Sequence, residues 1–265
     1  MMRKLAENLK RVQQRIAAAC DRAGRDPAAV SLVAVTKNAG LEWIRALVDL
    51  GVQDLGENRV LDVTRKAAMV KERLSRKVRE RGDPAAGARW HMIGHLQRNK
   101  VKAVLPWIDL IHSVDTLRLA EEIDAQSAKL DRKTAILLEV NAAGEASKQG
   151  VAVPAASHLA EQVQSLKYIE LRGLMAMAPL TDDVERIRRV FGRVRELFDE
   201  IVAERMGGRH FAHLSLGMTN DFEYAIEAGA TYVRIGSALF EGLTPEPESL
   251  ETVGGEDDEV RIGTV

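Results

Sequence analysis

Eight times along the chain, a short run rich in β-branched and apolar residues is followed by a stretch with helical spacing. The strand-like runs fall at 31–36, 52–55, 89–93, 108–112, 134–140, 169–174, 211–215 and 231–235. Helical stretches follow at 41–50, 57–80, 95–104, 115–130, 154–166, 181–206 and 218–228, with a short one after 236. This alternation predicts parallel strands joined by crossover helices. Eight units within 265 residues favour a closed (β/α)8 barrel of the TIM type, for which about 250 residues is typical. An open doubly wound sheet has the same periodicity, which counts repeats and is blind to closure. One extra helix leads, with Leu5, Leu9, Val12, Ile16 and Ala19 on one face.

No Gly/Ser/Pro linker interrupts the pattern, so residues 1–243 read as one barrel domain. Residues 244–265 contain Pro245, Pro247, paired glycines and Glu256-Asp257-Asp258-Glu259, the composition of a flexible acidic tail. The stretch 71–88 is strongly basic but has no interleaved aromatics, so it reads as a solvated helix end that stops at Gly82-Asp83-Pro84. With 38 Lys+Arg against 39 Asp+Glu, the net charge is −1, and no bulk basic field argues for nucleic acid or an anionic membrane. The single cysteine, Cys20, excludes an internal disulfide framework and points to a reducing compartment. The N-terminus has no apolar signal core, and no run of about 18 apolar residues occurs. The chain reads as soluble, cytoplasmic and, with no large apolar stripe, monomeric.

Active sites of such barrels gather at the C-terminal ends of the strands. Lys37 ends the run Ser31-Leu32-Val33-Ala34-Val35-Thr36. It is either a solvated strand end or an amine that traps a carbonyl, and spacing alone favours the former. The loops Ser215-Leu216-Gly217-Met218-Thr219-Asn220-Asp221 and Gly236-Ser237, after the seventh and eighth strands, combine small and hydroxyl residues with a helix start. Free amides and the positive dipole end suit phosphate there, and Thr219 and Ser237 as ordinary N-caps are the alternative. Arg234, near the end of the eighth strand, can only donate hydrogen bonds; a structural ion pair is its other reading. His91, His95 and His112 lack a carboxylate or thiolate cluster, which argues against a metal. No Ser-His-Asp elbow, Walker loop or GxGxxG fingerprint is present.

A strand-end lysine, a phosphate cradle and a strand arginine together suit a phosphate-bearing aldehyde held as a Schiff base. Several segments then carry a resemblance: Val33-Ala34-Val35-Thr36-Lys37, Gly56-Glu57-Asn58-Arg59-Val60, Trp90 through Lys100, Ile111-His112-Ser113-Val114-Asp115, Leu214 through Met218, and Val233-Arg234-Ile235-Gly236-Ser237. The chain resembles the pyridoxal phosphate (PLP) homeostasis protein family, whose members are similar to the N-terminal domain of alanine racemase.

The resemblance implies a single barrel without the racemases' second β-domain. It implies Lys37 as the internal aldimine and Asn58 near the ring. It also implies Ser215, Gly217, Met218, Thr219, Gly236 and Ser237 around the phosphate, and Arg234 facing the pyridine nitrogen. The function implied is PLP homeostasis or delivery without robust turnover, with PLP-dependent apoenzymes as recipients. A racemase of the same fold is the alternative. Lys37 would serve one face of Cα, and none of Tyr168, Tyr224 and Tyr232 is an evident second base. Asn38-Ala39-Gly40 departs from the family's usual proline soon after the lysine.

Overall fold

The computed structural model describes residues 2–81, 87–145 and 149–243, with the side chains of 75–81 left aside. The end of the basic stretch at 82–86, Lys148 and the acidic segment 244–265 lie outside the described residues.

Each expected strand is present. They are β1 (Ser31–Val35), β2 (Asp54–Glu57), β3 (Arg89–Met92), β4 (Leu110–Val114), β5 (Thr134–Asn141), β7 (Ile169–Met175), β8 (His213–Ser215) and β9 (Tyr232–Ile235). A two-residue strand, β6 (Val151–Ala152), pairs with the end of β5. All pairings are parallel, and β1–β9 together with β4–β5 close the ring of eight. Closure decides between the two architectures that the periodicity left open. The helices are α1 (Met2–Arg22), α2 (Leu41–Asp49), α3 (Val60–Arg81), α4 (Val101–Val104), α5 (Leu117–Lys129), α6 (Val153–Gln164), α7 (Val184–Ala203), α8 (Phe222–Glu227) and α9 (Ser237–Phe240).

α1 buries its expected stripe and packs on α8, α9 and α2, where it completes the outer layer. Asn8, buried within that stripe, donates to the Leu239 and Glu241 carbonyls at 3.0 and 2.9 Å. It thereby satisfies acceptors that the end of α9 leaves open. Among the described residues no helix is long and apolar enough to cross a membrane.

The core has two layers. Ala34, Leu55, Ile111, Ile136, Leu138, Leu174, Val233 and Ile235 face the helices in one large cluster. Inside the barrel the apolar part is small: Leu110, Ala135, Leu137 and Met175, with Met177 and Tyr232 beside them. Asp54, His91, His112, Ser215, Arg234 and Glu139 are also buried. Bulky aliphatics fill most such interiors, so buried polar groups here need partners.

Two bulges set the register. Between Ile111 and Val114, β4 carries one residue more than β5 opposite, and between Leu171 and Gly173 β7 does the same. A bulge re-aims side chains. In β4 it lets His112 point inward while both Ile111 and Val114 face the helices.

Candidate functional site

At the C-terminal rim, a cleft of about 650 Å³ opens between β1, β9 and the loops after β7 and β8. Its volume falls within the range of small-molecule sites, roughly 300–1,000 Å³. Lys37, Met218, Thr219, Arg234, Gly236 and Ser237 all line it, together with Val35, Tyr224, Asp221 and the segment 178–182. Six of the nine residues expected at the site therefore share one space.

Lys37 follows β1 directly and is exposed. The backbone beneath it is clamped. Thr36 Oγ1 donates to Glu57 Oε1 at 2.8 Å, and the Lys66 ammonium, from α3, donates to Glu57 Oε1 at 2.6 Å and to the Thr36 carbonyl at 2.8 Å. Glu57 and Lys66 are 0% and 8% exposed. One face of this triad is incomplete, because Glu57 Oε2 is buried without a hydrogen-bond partner among the described residues.

The loops after β8 and β9 meet where Ser237 Oγ donates to Thr219 Oγ1 at 3.0 Å. Neither residue is an N-cap. Gly236 caps α9 and Asp221 caps α8, which starts four residues later than the expected 218. Asp221 Oδ1 instead accepts the Met218 amide at 2.6 Å, which commits that N–H. Burial pushes the Asp221 carboxyl pKa up, against hydrogen bonding and the Arg234 charge.

Three expected residues are not among those lining the cleft. Ser215 is fully buried inside the barrel, where its hydroxyl lies 2.9 Å from His112 Nδ1 and takes an Arg234 N–H. Gly217, at φ +82°, turns the chain against α8, where a Cβ would meet Phe222 Cα at 2.7 Å. Asn58 is exposed and packs its Cβ over Gly94, leaving no room there for a side chain.

Arg234 is 4% exposed. It donates to the Ser215 carbonyl at 2.7 Å, to Ser215 Oγ and to the Ala176 carbonyl at 3.0 Å. Those bonds use three of its five N–H groups, and its reading as a simple ion pair does not hold among the described residues. Burial lowers its pKa to about 10, a value at which the guanidinium stays charged at neutral pH.

Below it runs a line of polar contacts that spacing along the chain could not reveal. His112 Nε2 lies 2.9 Å from His91 Nδ1, and His91 Nε2 lies 3.0 Å from Asp54 Oδ1. Arg89 closes the line with a two-pronged bond to Asp54, at 2.6 and 2.8 Å. Burial, helped by His91 and Arg234, holds the His112 pKa well below the usual imidazole range. Burial alone would raise the Asp54 carboxyl, but the His91 and Arg89 bonds outweigh it and bring the pKa to about 2. His95 is exposed and takes no part. Glu139, the one carboxyl within the apolar run of β5, is 4% exposed. Burial, with Asp115 nearby, raises its pKa to about 7 against the pull of Arg234. A carboxylate inside an otherwise apolar strand was a signal available in the sequence.

Among known proteins, the family model described as "Alanine racemase, N-terminal domain" matches residues 3–245. A pyridoxal phosphate homeostasis protein of Aquifex aeolicus is 38% identical over 234 residues, 88% of this chain and 96% of the relative. Its counterpart in Pseudomonas aeruginosa is 36% identical over 239 residues, 90% and 96% of the two chains. A solved structure from Bifidobacterium adolescentis superposes with a TM-score of 0.83 at 40% identity, covering 90% and 95% of the two chains. PipY of Synechococcus elongatus, solved with PLP bound, superposes with a TM-score of 0.71 at 29% identity, covering 86% and 99%. An alanine racemase of Clostridium difficile shares the fold, with a TM-score of 0.67 at 15% identity, and this chain spans 56% of its length.

Proposed function

We propose that this chain, which belongs to the alanine racemase N-terminal-domain family and to its pyridoxal phosphate homeostasis proteins, binds PLP in the rim cleft. There it holds and delivers the cofactor rather than running rapid turnover. The observation that carries this reading is the meeting of Lys37, Arg234 and the Thr219–Ser237 hydroxyl pair around one cleft.

The donor set suits the ligand. Two hydroxyls and the first amides of α9 favour a phosphate. Arg234 is a donor with no acceptor capacity, matched to an unprotonated ring nitrogen. When bound, PLP supplies an aldehyde carbon that a primary amine captures reversibly. Lys37 is that amine, on a backbone held by the Thr36–Glu57–Lys66 clamp. Arg234 keeps the ring nitrogen free of a proton, which leaves the ring a poor sink for carbanion charge and argues for storage over turnover. The binding unit is residues 1–243. The chain acts inside the cell as a monomer, with PLP-dependent apoenzymes as recipients.

The test is absorbance of purified protein titrated with PLP, then borohydride reduction and peptide mapping. A visible band absent from Lys37→Ala supports the reading, and a wild-type protein with no band refutes it. A second reading, Cα proton transfer as in a racemase, draws on Tyr224. This residue lines the same cleft, and the Arg188 guanidinium lies 4.9 Å from its ring centroid. Exchange of amino-acid Cα protons in deuterated water, lost in Tyr224→Phe, would favour it.

A further inference from the structure

The polar line inside the barrel has ends that fix its direction. Arg234 can only donate and the Asp54 carboxylate can only accept. Five residues lie between and including them, and each contact is within hydrogen-bonding distance. If Arg234 donates to Ser215 Oγ, the serine proton goes to His112 Nδ1. His112 then carries its own proton on Nε2 and gives it to His91 Nδ1, and His91 gives its Nε2 proton to Asp54. In this direction each imidazole places one hydrogen on the line, and every hydrogen along it has an acceptor. In the opposite direction, His112 Nδ1 would donate to Ser215 Oγ. The serine proton would then face Arg234, which accepts nothing, and a buried O–H would lose its partner at a cost. Tyr232 lies edge-on to both imidazoles, with ring centroids 5.7 and 5.8 Å away, and closes the line from the side.

We propose that Asp54, His91 and His112 are positioning residues of the cofactor pocket: their one-way hydrogen-bond chain holds the Ser215 hydroxyl as an acceptor for Arg234 and so keeps that guanidinium aimed at the ligand. The site thus extends through the barrel to Arg89 and Asp54, which also line a second, smaller cleft. The direction of the chain stands without a ligand, and the positioning role rests on the PLP reading.

Two measurements test it on the full chain. Long-range proton–nitrogen correlation spectra of the histidine rings, recorded without ligand, should show His91 and His112 neutral and protonated on Nε2. In Asp54→Asn the terminal carboxylate is replaced by a group that can also donate, so His112 should lose its single tautomer. With PLP added, release from Asp54→Asn should be about tenfold faster than from wild type, the worth of one strained hydrogen bond, and Asp54→Glu should restore it. The signal of ¹⁵N-labelled PLP should move toward the protonated ring nitrogen in Asp54→Asn. A proton on His112 Nδ1 in the wild type overturns the chain, as does a variant with unchanged tautomer, release rate and ring-nitrogen signal. If the wild type takes up no PLP, the functional reading fails, and the ligand-free spectra still decide the direction of the chain.

Discussion

Two lysines near the end of β1 put the same group to opposite uses. Lys37 is exposed on the cleft, and Lys66 is buried against Glu57 and the Thr36 carbonyl. Breaking a buried pair strands a charge, so Lys66→Met should destabilise the protein by about 3–5 kcal/mol in urea denaturation, whereas Lys37→Ala should leave stability within about 0.5 kcal/mol. Lys37 was legible because it directly follows an apolar run. Lys66 was not, because its partner comes from β2 and only the packed fold joins them.

The buried carboxyls predict opposite pH responses. Asp54 has a folded pKa of about 2, below its ordinary 3.8. Its contribution, about 2 kcal/mol, is present above pH 4 and lost as pH falls toward 2. Glu139 has a folded pKa of about 7, above its ordinary 4.5. Its protonated form favours the fold below pH 4.5, and that advantage disappears as pH rises through 7. Glu139→Gln should therefore match wild type near pH 4 and exceed it by about 3 kcal/mol at pH 8, read from denaturation curves at the two pH values. An equal gain at both would refute the assignment.

At the scale of elements, β7 shows how closely strands approach. Gly173 sits in its bulge at φ +153°, and a Cβ there would lie 1.8 Å from the His213 carbonyl oxygen. Gly173→Ala must push β8 away from β7, costing about 2–3 kcal/mol and loosening Ser215 in the same stroke. A stability within error of wild type would contradict that geometry. Hydrophobic periodicity located all eight barrel strands, since a buried parallel strand is a continuous apolar run. It missed both bulges, because one extra residue in a strand changes no pattern that composition can carry. It also placed the start of α8 too early: Met218 through Asn220 are held by Asp221 as a turn, and the first helical residue is Phe222.

The whole molecule is a closed ring whose outer layer is apolar and whose interior carries charge. α1, tied through Asn8 to the end of α9, belongs to the same unit. Deleting residues 244–265 should therefore leave both cooperative unfolding and PLP affinity unchanged, and a loss of either would assign that segment to the binding unit. The barrel was readable from repeats. The interior line from Arg89 to Arg234 was not, since its members come from β2, β3, β4, β8 and β9 and meet only on closure. Purified full-length protein, incubated with PLP, reduced with borohydride and digested, should carry the reduced cofactor on Lys37 in near-stoichiometric amount, with Lys66 unmodified. Label spread over surface lysines, or concentrated on a lysine other than Lys37, would contradict it.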